Sequence, residues 1–211
     1  MKKYQLICKQ VFDIIASSLG LAAISPLFLI ICLSIKITDS GDVFFRQQRI
    51  GKDGKVFDII KFRTMVQNAE NIGDGLVVQT EDDPRITKVG RILRKTSLDE
   101  LPQLINIIKG DMSLIGPRPP VTYHPYEGYE NYPDRAKKRF EMRPGITGLA
   151  QVEKRNSASW EERIGIDVEY VENFSLLLDA RIFLKTFASM KYSEEYTEGN
   201  NDAIIKEKDN E

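Results

Sequence analysis

A chain of 211 residues with 42% hydrophobic and 29% charged residues is long enough to bury a core, and its composition excludes wholesale disorder and the low-complexity classes. Thirty basic residues against 31 acidic ones exclude a dedicated nucleic-acid binder and leave only local basic patches to meet phosphate groups. Two cysteines, Cys8 and Cys32, cannot build a disulfide framework or a zinc module, and the single His124 argues against a histidine-based catalytic or metal centre.

From Ile14 to Ile35 the chain carries no charge; Asp13 and Lys36 bound the run. As a straight helix it would extend roughly 33 Å, against about 30 Å of bilayer hydrocarbon. A buried core helix seldom holds so long an uncharged run. A cleaved signal peptide is disfavoured because no small-x-small site follows in the polar stretch from Lys36 to Asp42. Ser25 and Pro26 sit in the middle. Proline removes one backbone hydrogen bond and its ring clashes with the carbonyl of Ala22, so a kink is predicted there. Lys2, Lys3 and Lys9 precede the segment while Lys36, Arg46 and Arg49 follow it, so charge sets no orientation. The expectation is a membrane anchor over residues 1–36 that enters the bilayer, bends at Ser25-Pro26 and returns to the same face; a kinked span is the alternative.

Val43-Phe44-Phe45 and Val56-Phe57-Asp58-Ile59-Ile60 flank Gly51-Lys52-Asp53-Gly54, and Asp-Gly between apolar runs predicts a β-hairpin with a two-residue turn. Gln67 to Pro84 reads as a mobile surface loop able to cover a ligand. Leu101, Leu104, Ile105 and Ile108 recur at helical spacing before Gly110, which predicts a short packed helix with a glycine cap. Trp160 to Val171 and Leu176 to Met190 read as two further helices separated near Asn173. The second is apolar enough to lie in the headgroup plane, or equally to pack on the core. The polar stretch from Ser193 to Glu211 is expected to be disordered. The predicted fold is therefore α+β and mostly helical: a re-entrant helix kinked at Ser-Pro, a small β-hairpin and interfacial amphipathic helices. The catalytic unit covers residues 37–192 and a polar tail covers 193–211.

The residues that could carry chemistry gather around Asp99-Glu100. Pro102 is tolerated only in the first turn of a helix, so the helix should begin near Asp99. Free N–H groups and the helix dipole favour negative charge there. Ser97-Leu98-Asp99-Glu100 also fits a capping box, and caps are the commoner role for such acids. Arg85, Lys88, Arg91, Arg94 and Lys95 precede the pair, and Gly116-Pro117-Arg118-Pro119-Pro120 fixes one arginine on a stiff backbone. Carboxylates with guanidinium groups suit phosphoryl transfer: carboxylates hold Mg²⁺ or attack phosphorus, and arginines neutralise the phosphoryl oxygens. No P-loop, dinucleotide fingerprint or nucleophile elbow is present. These residues leave two alternatives open: a membrane-anchored scaffold in which Asp99-Glu100 caps a helix and Arg118 docks an acidic partner, and a membrane phosphatase that forms an aspartyl phosphate.

Five motifs now stand in order: Lys61-Phe62-Arg63-Thr64-Met65, Leu98-Asp99-Glu100-Leu101-Pro102-Gln103-Leu104, Lys109-Gly110-Asp111-Met112-Ser113, Gly116-Pro117-Arg118-Pro119 and Arg143-Pro144-Gly145-Ile146-Thr147-Gly148-Leu149-Ala150-Gln151-Val152. Together they resemble the bacterial sugar transferases, the small monotopic polyprenyl-phosphate phosphoglycosyl transferases, across roughly Lys2 to Lys191. The resemblance implies a membrane enzyme of glycoconjugate or polysaccharide biosynthesis. It would move a sugar-1-phosphate from a UDP-sugar to undecaprenyl phosphate and release UMP. It implies Asp99 as a nucleophile forming a phosphosugar intermediate, Glu100 with Asp99 at a Mg²⁺ site, and substrate or phosphate binding by Lys61, Arg94, Pro117, Arg118 and Pro119. Asp179 would be an acid of the final helix associated with the site. The implied location is the cytoplasmic face of the bacterial inner membrane, with UDP-sugar, undecaprenyl phosphate and the lipid bilayer as partners and a homodimer left open. Lys154, before Arg155-Asn156, departs from the glycine common in relatives and bears on the local turn and on sugar choice rather than on the chemistry.

Overall fold

The computed structural model describes residues 3–72, 83–154 and 158–190. The apolar N-terminal run folds as two helices, α1 (Lys3–Ala23) and α2 (Ser25–Thr38). Pro26, in the first turn of α2, has no N–H for the carbonyl four residues back. That carbonyl, Ala22 O, instead accepts from the Ser25 hydroxyl at 2.8 Å, so the break leaves no orphaned group there. Among the described residues α1 alone is long and apolar enough to cross a membrane. Its Lys9, Asp13 and Ser17, four residues apart and so on one helix face, are buried, while Phe12 and Leu19 are 66% and 67% exposed. The stripe that packs on the domain is thus polar and the outer face apolar, the inverse of a water-soluble amphipathic helix.

The predicted hairpin forms: β1 (Phe44–Ile50) pairs antiparallel with β2 (Val56–Phe62), from Phe44↔Phe62 to Ile50↔Val56. Its connection is longer than a two-residue turn. Asp53 and Gly54 both take positive φ, 54° and 77°, inside a 3₁₀ turn at Lys52–Gly54. The Gly51 N–H closes the loop on Lys55 O at 2.8 Å. The Tyr129 ring rests against Gly54, where an added Cβ would fall 2.6 Å from it, so a tertiary contact sets the loop.

A helix not foreseen from sequence follows: α3 (Lys88–Lys95), capped by Thr87, whose hydroxyl accepts from the Gly90 N–H at 2.9 Å. Gly90 lets α3 lie directly on the backbone at Thr64, since a Cβ there would meet Thr64 O at 1.9 Å. Ser97 then adopts left-handed φ 55° and Leu98–Glu100 form a 3₁₀ turn before α4 (Gln103–Lys109). The capping box expected at Ser97 is not made; its side chain forms no cap bond, because the positive φ turns the chain away from capping geometry. Gly110 caps α4 at φ 86°, as predicted. Two short strands that sequence reading missed, β3 (Ser113–Ile115) and β4 (Gly145–Thr147), pair in parallel. Four helices complete the domain: α5 (Asp134–Lys137), α6 (Leu149–Lys154), α7 (Trp160–Glu172) and α8 (Leu176–Met190). The last two match the predicted pair, with Asn173 capping α7 and a Ser159/Glu162 capping box opening it. The centre of the expected loop (73–82), Arg155-Asn156 and the expected tail lie outside the described residues.

Among the described residues the apolar side chains form four clusters. One joins Ile31 and Ile35 of α2 to Phe62 of β2 and Leu93 of α3, with Leu98 and Leu101 packed against it. Another surrounds Ile115 with Tyr170, Val171, Phe174 and Ile182. The hairpin and α4 are joined by a polar stitch: fully buried Asn106 accepts from Ile60 N–H at 3.0 Å and donates to Asp58 O at 2.8 Å. Asn106→Ala leaves both strand groups buried and unpaired, and should cost about 2–4 kcal/mol; calorimetry of the lipid-solubilised protein should show a correspondingly lower Tm.

Candidate active site

The hairpin register places Phe45 opposite Lys61 and Arg49 opposite Phe57, so Phe45, Gln47, Arg49 and Lys61 share one face. That face forms a wall of a cleft of about 1030 Å³. The 3₁₀ turn at Leu98–Glu100 brings Asp99 and Glu100 to the same cleft, α3 brings Arg94, and the stiff segment after β3 brings Arg118. In a 3₁₀ turn residues three apart eclipse one another. Leu98 and Leu101 therefore pack together toward α2, while the two carboxylates between them line the opening.

The carboxylates are treated differently. Glu100 Oε1 lies 2.7 Å from Lys61 Nζ and 3.5 Å from Arg118 Nη2. Burial favours its protonated form, but the two cations beside it prevail and hold its pKa down to about 2. Among the described residues Asp99 forms no ion pair. Its carboxyl is pushed up, first by burial and then by the neighbouring Glu100 charge, with Lys61 and Arg94 opposing. Glu100 is thus a fixed anion held by hydrogen bonds, and Asp99 a more basic one with no such ion pair, the better nucleophile of the two.

Five of the sequence-predicted residues, Lys61, Arg94, Asp99, Glu100 and Arg118, line this one cleft. Arg94 is aimed by its Nε–H bond to Thr64 Oγ1 at 2.9 Å. Pro117 and Pro119 do not line the cleft; they are buried and clamp the backbone on either side of Arg118. Pro117 O accepts from Gly145 N–H at 3.0 Å and Arg118 O accepts from Arg139 at 2.8 Å. Asp179 does not line it either. It is buried, accepting from Lys9 Nζ at 2.6 Å and Tyr170 Oη at 2.7 Å, and it ties α8 to α1. Of the other basic residues read near the dyad, buried Arg85 grips Asp83 and the carbonyls of Ala69 and Ile72, while Lys88, Arg91 and Lys95 are absent from the cleft lining. Sequence reading missed Gln47, Arg49, Tyr123 and His124, which line the cleft. The i, i+2 spacing of Gln47 and Arg49 was a signal, but only the register says which face it is on.

Among the described residues no group of three acidic, histidine or cysteine side chains could cage a metal. Two adjacent carboxylates at a cleft rich in cations nonetheless fit Mg²⁺, which is commonly held by one or two carboxylates together with substrate phosphates and water.

The family model described as "Bacterial sugar transferase" matches residues 4–192. The chain is 41% identical over 197 residues to the exopolysaccharide production protein ExoY of Sinorhizobium fredii, covering 87% of this chain and 85% of that one. It is 41% identical to a UDP-glucose:undecaprenyl-phosphate glucose-1-phosphate transferase of Caulobacter vibrioides, covering 86% and 69%. Identity is again 41% to an undecaprenyl-phosphate galactose phosphotransferase of Salmonella typhimurium, covering 88% and 40%.

Because the folded-state pKa of Glu100 lies below its ordinary value of 4.5, its ionised form stabilises the fold above that pH, and the contribution is lost as pH falls toward 2. Glu100→Gln should therefore be less stable than the parent at neutral pH, and the gap in Tm should narrow as pH is lowered from about 5 to 3. A gap independent of pH would show that Glu100 is not held charged.

Proposed function

The chain belongs to the bacterial sugar transferase family, and from that premise we propose that it transfers a sugar-1-phosphate from a UDP-sugar to undecaprenyl phosphate, releasing UMP, as the first membrane step of polysaccharide assembly. The observation that carries this reading is the division of roles in the dyad: an Asp99 without an ion pair among the described residues, beside a Glu100 locked between Lys61 and Arg118, in a cleft lined by arginines. In the first half-reaction an Asp99 carboxylate oxygen bonds to the sugar-bearing phosphorus. The anhydride bond breaks, and its bridging oxygen leaves with UMP. In the second, a phosphate oxygen of the lipid bonds to the same phosphorus and the acyl-phosphate bond breaks, restoring Asp99. Arg94, Lys61 and Arg118 balance the phosphoryl charge in both steps. Asp99 and Glu100, with the donor phosphates, would hold Mg²⁺, which neutralises charge on the diphosphate when bound. One cleft serves donor and acceptor in turn, as a two-step displacement requires.

The anchor supports the lipid part of the reading. An apolar outer face on α1, polar residues turned inward, and exposed Leu176, Leu177 and Leu184 on α8 suit a bilayer surface better than water. Both ends of the apolar run rest on the same domain: Lys9 of α1 on Asp179, and Ile35 of α2 beside Phe62 and Leu93. That supports a re-entrant anchor over residues 1–36 and a catalytic unit over 37–192, with α8 at headgroup depth. A UDP-sugar donor places the cleft on the cytoplasmic face of the inner membrane.

Asp99→Asn should lower transfer of labelled sugar phosphate into lipid by more than about a thousandfold while the protein still fractionates with membranes. Intact-protein mass spectrometry after donor alone should show a hexose-phosphate adduct on the parent and none on the variant; retained turnover would end the assignment. Exhaustive chelation should abolish transfer and added Mg²⁺ restore it. Tags at the two termini should be protected or digested together in sealed vesicles, and opposite sidedness would exclude the re-entrant anchor.

A further inference from the structure

Arg49 reaches the cleft from β1 and is already immobilised. Its Nη1 donates to Pro119 O at 3.1 Å and its Nη2 to Gln47 Oε1 at 2.6 Å, while its Nε is buried with no hydrogen-bond partner. Nearby charge acts on it in both directions: Arg118 disfavours its cation, while Tyr123 and Glu100 favour it. Arg118 is the charged group that acts on it most strongly, and among the described residues no carboxylate forms an ion pair with Arg49. Glu100, the carboxylate that acts on Arg49, lies closest to Lys61, and Asp167 is gripped by Arg139 at 2.5 Å. Burial, with repulsion from Arg118, holds the Arg49 guanidinium down to about 10, still a cation at neutral pH. A guanidinium with no carboxylate partner among the described residues, beside a second that shares Glu100 with Lys61, is unfavourable in the protein alone, and such an arrangement marks a site completed by an anionic ligand.

The hairpin register gives the order along the cleft: Lys61 lies level with Phe45, and Arg49 stands four residues further along β1, opposite Phe57. Arg94 bonds Thr64, beyond the other end of β2, whereas Arg49 bonds Pro119 O and its neighbour Gln47 meets Tyr123. Arg94 therefore stands toward one end and Arg49 with Tyr123 toward the other, with Glu100 joining Lys61 and Arg118 between them and Asp99 next to Glu100 in the chain. A diphosphate whose reacting phosphorus sits at Asp99 extends its second phosphate past Arg118 toward Arg49. We propose that Arg49 binds the non-transferred phosphate of the donor, the one that departs on the nucleoside monophosphate. The inference rests on the reading of this cleft as a sugar-phosphate transferase site. When the Asp99–phosphorus bond forms, the anhydride electron pair stays on the bridging oxygen, and the departing phosphate gains a negative charge that Arg49 and Arg118 receive without any proton transfer. Held by Gln47 and Pro119, Arg49 needs no rearrangement to do so.

The test uses the full chain in lipid nanodiscs with the UDP-sugar that the parent turns over, undecaprenyl phosphate as acceptor, and UMP as product inhibitor. Arg49→Gln should weaken inhibition by UMP about ten- to hundredfold and raise the KM for the donor, leaving the KM for the lipid acceptor within about twofold. Arg49→Lys, which keeps the charge but not the fork, should fall between the parent and Arg49→Gln. UMP inhibition unchanged in a turning-over Arg49→Gln protein overturns this inference alone, as does a rise confined to the acceptor KM, which would assign Arg49 to the lipid phosphate. If Arg49→Gln shows no cooperative unfolding transition, Arg49→Lys carries the comparison: weaker UMP inhibition supports the assignment and parental inhibition overturns it. Absence of UMP release by the parent across a UDP-sugar panel overturns the transferase reading, and this inference falls with it.

Discussion

The site depends on a single amphipathic turn. Leu98 and Leu101 face one way and pack beneath Ile31 and Ile35 of α2; Asp99 and Glu100, between them, face the cleft. A turn this short has almost no stability of its own. Burial of its leucines against α2, β2 and α3 holds it, so the same apolar contacts that seat α2 fix the position of the carboxylates. Weakening that packing would loosen the dyad without touching a polar atom, which is why the N-terminal arm and the chemistry are one structural unit here.

Electrostatics then separate two adjacent acids. Lys61 and Arg118 claim Glu100, and burial, with the Glu100 charge beside it, leaves Asp99 more basic. Neighbouring carboxylates driven apart in this way commonly take different roles. The positive charge lining the cleft exceeds what its acids neutralise, which suits the cleft to an anionic ligand. Arg49, Arg94 and Arg118 arrive from a strand, a helix and a proline-stiffened loop, and their fixed backbones limit the entropy lost when an anion binds.

A second polar centre keeps the N-terminal helix in place. Lys9 meets Asp179 and, at 3.7 Å, Asp13; Ser113 donates to Asp13 at 2.5 Å and Tyr170 to Asp179. Buried ion pairs contribute more to uniqueness of docking than to net stability. Here the network fixes the rotation of α1 about its axis, keeping its polar stripe inward and its apolar face outward. Asp179, which the sequence resemblance associated with the active site, takes part in this docking.

Local chemistry determined a good part of the molecule. The charge-free run broken at Ser25-Pro26, the hairpin around Asp53-Gly54, the glycine-capped α4 and the helices α7 and α8 follow from hydrophobic period, proline and glycine, properties that act within a few residues. The grouping of Lys61, Arg94, Asp99, Glu100 and Arg118 was legible as motifs, though not as geometry. The tertiary structure alone decided the rest. The left-handed Ser97 and the 3₁₀ turn replaced a capping box because Leu98 and Leu101 had to reach α2, and β3 pairs with β4 across a sequence gap too long for any local signal. The hairpin register put Arg49 and Gln47 on the cleft face beside Lys61, and long-range ion pairing gave Asp179 to Lys9. Side-chain type fixes what a residue is able to do, but which charges meet, and which of them are left without a partner, is set only when distant segments are packed together.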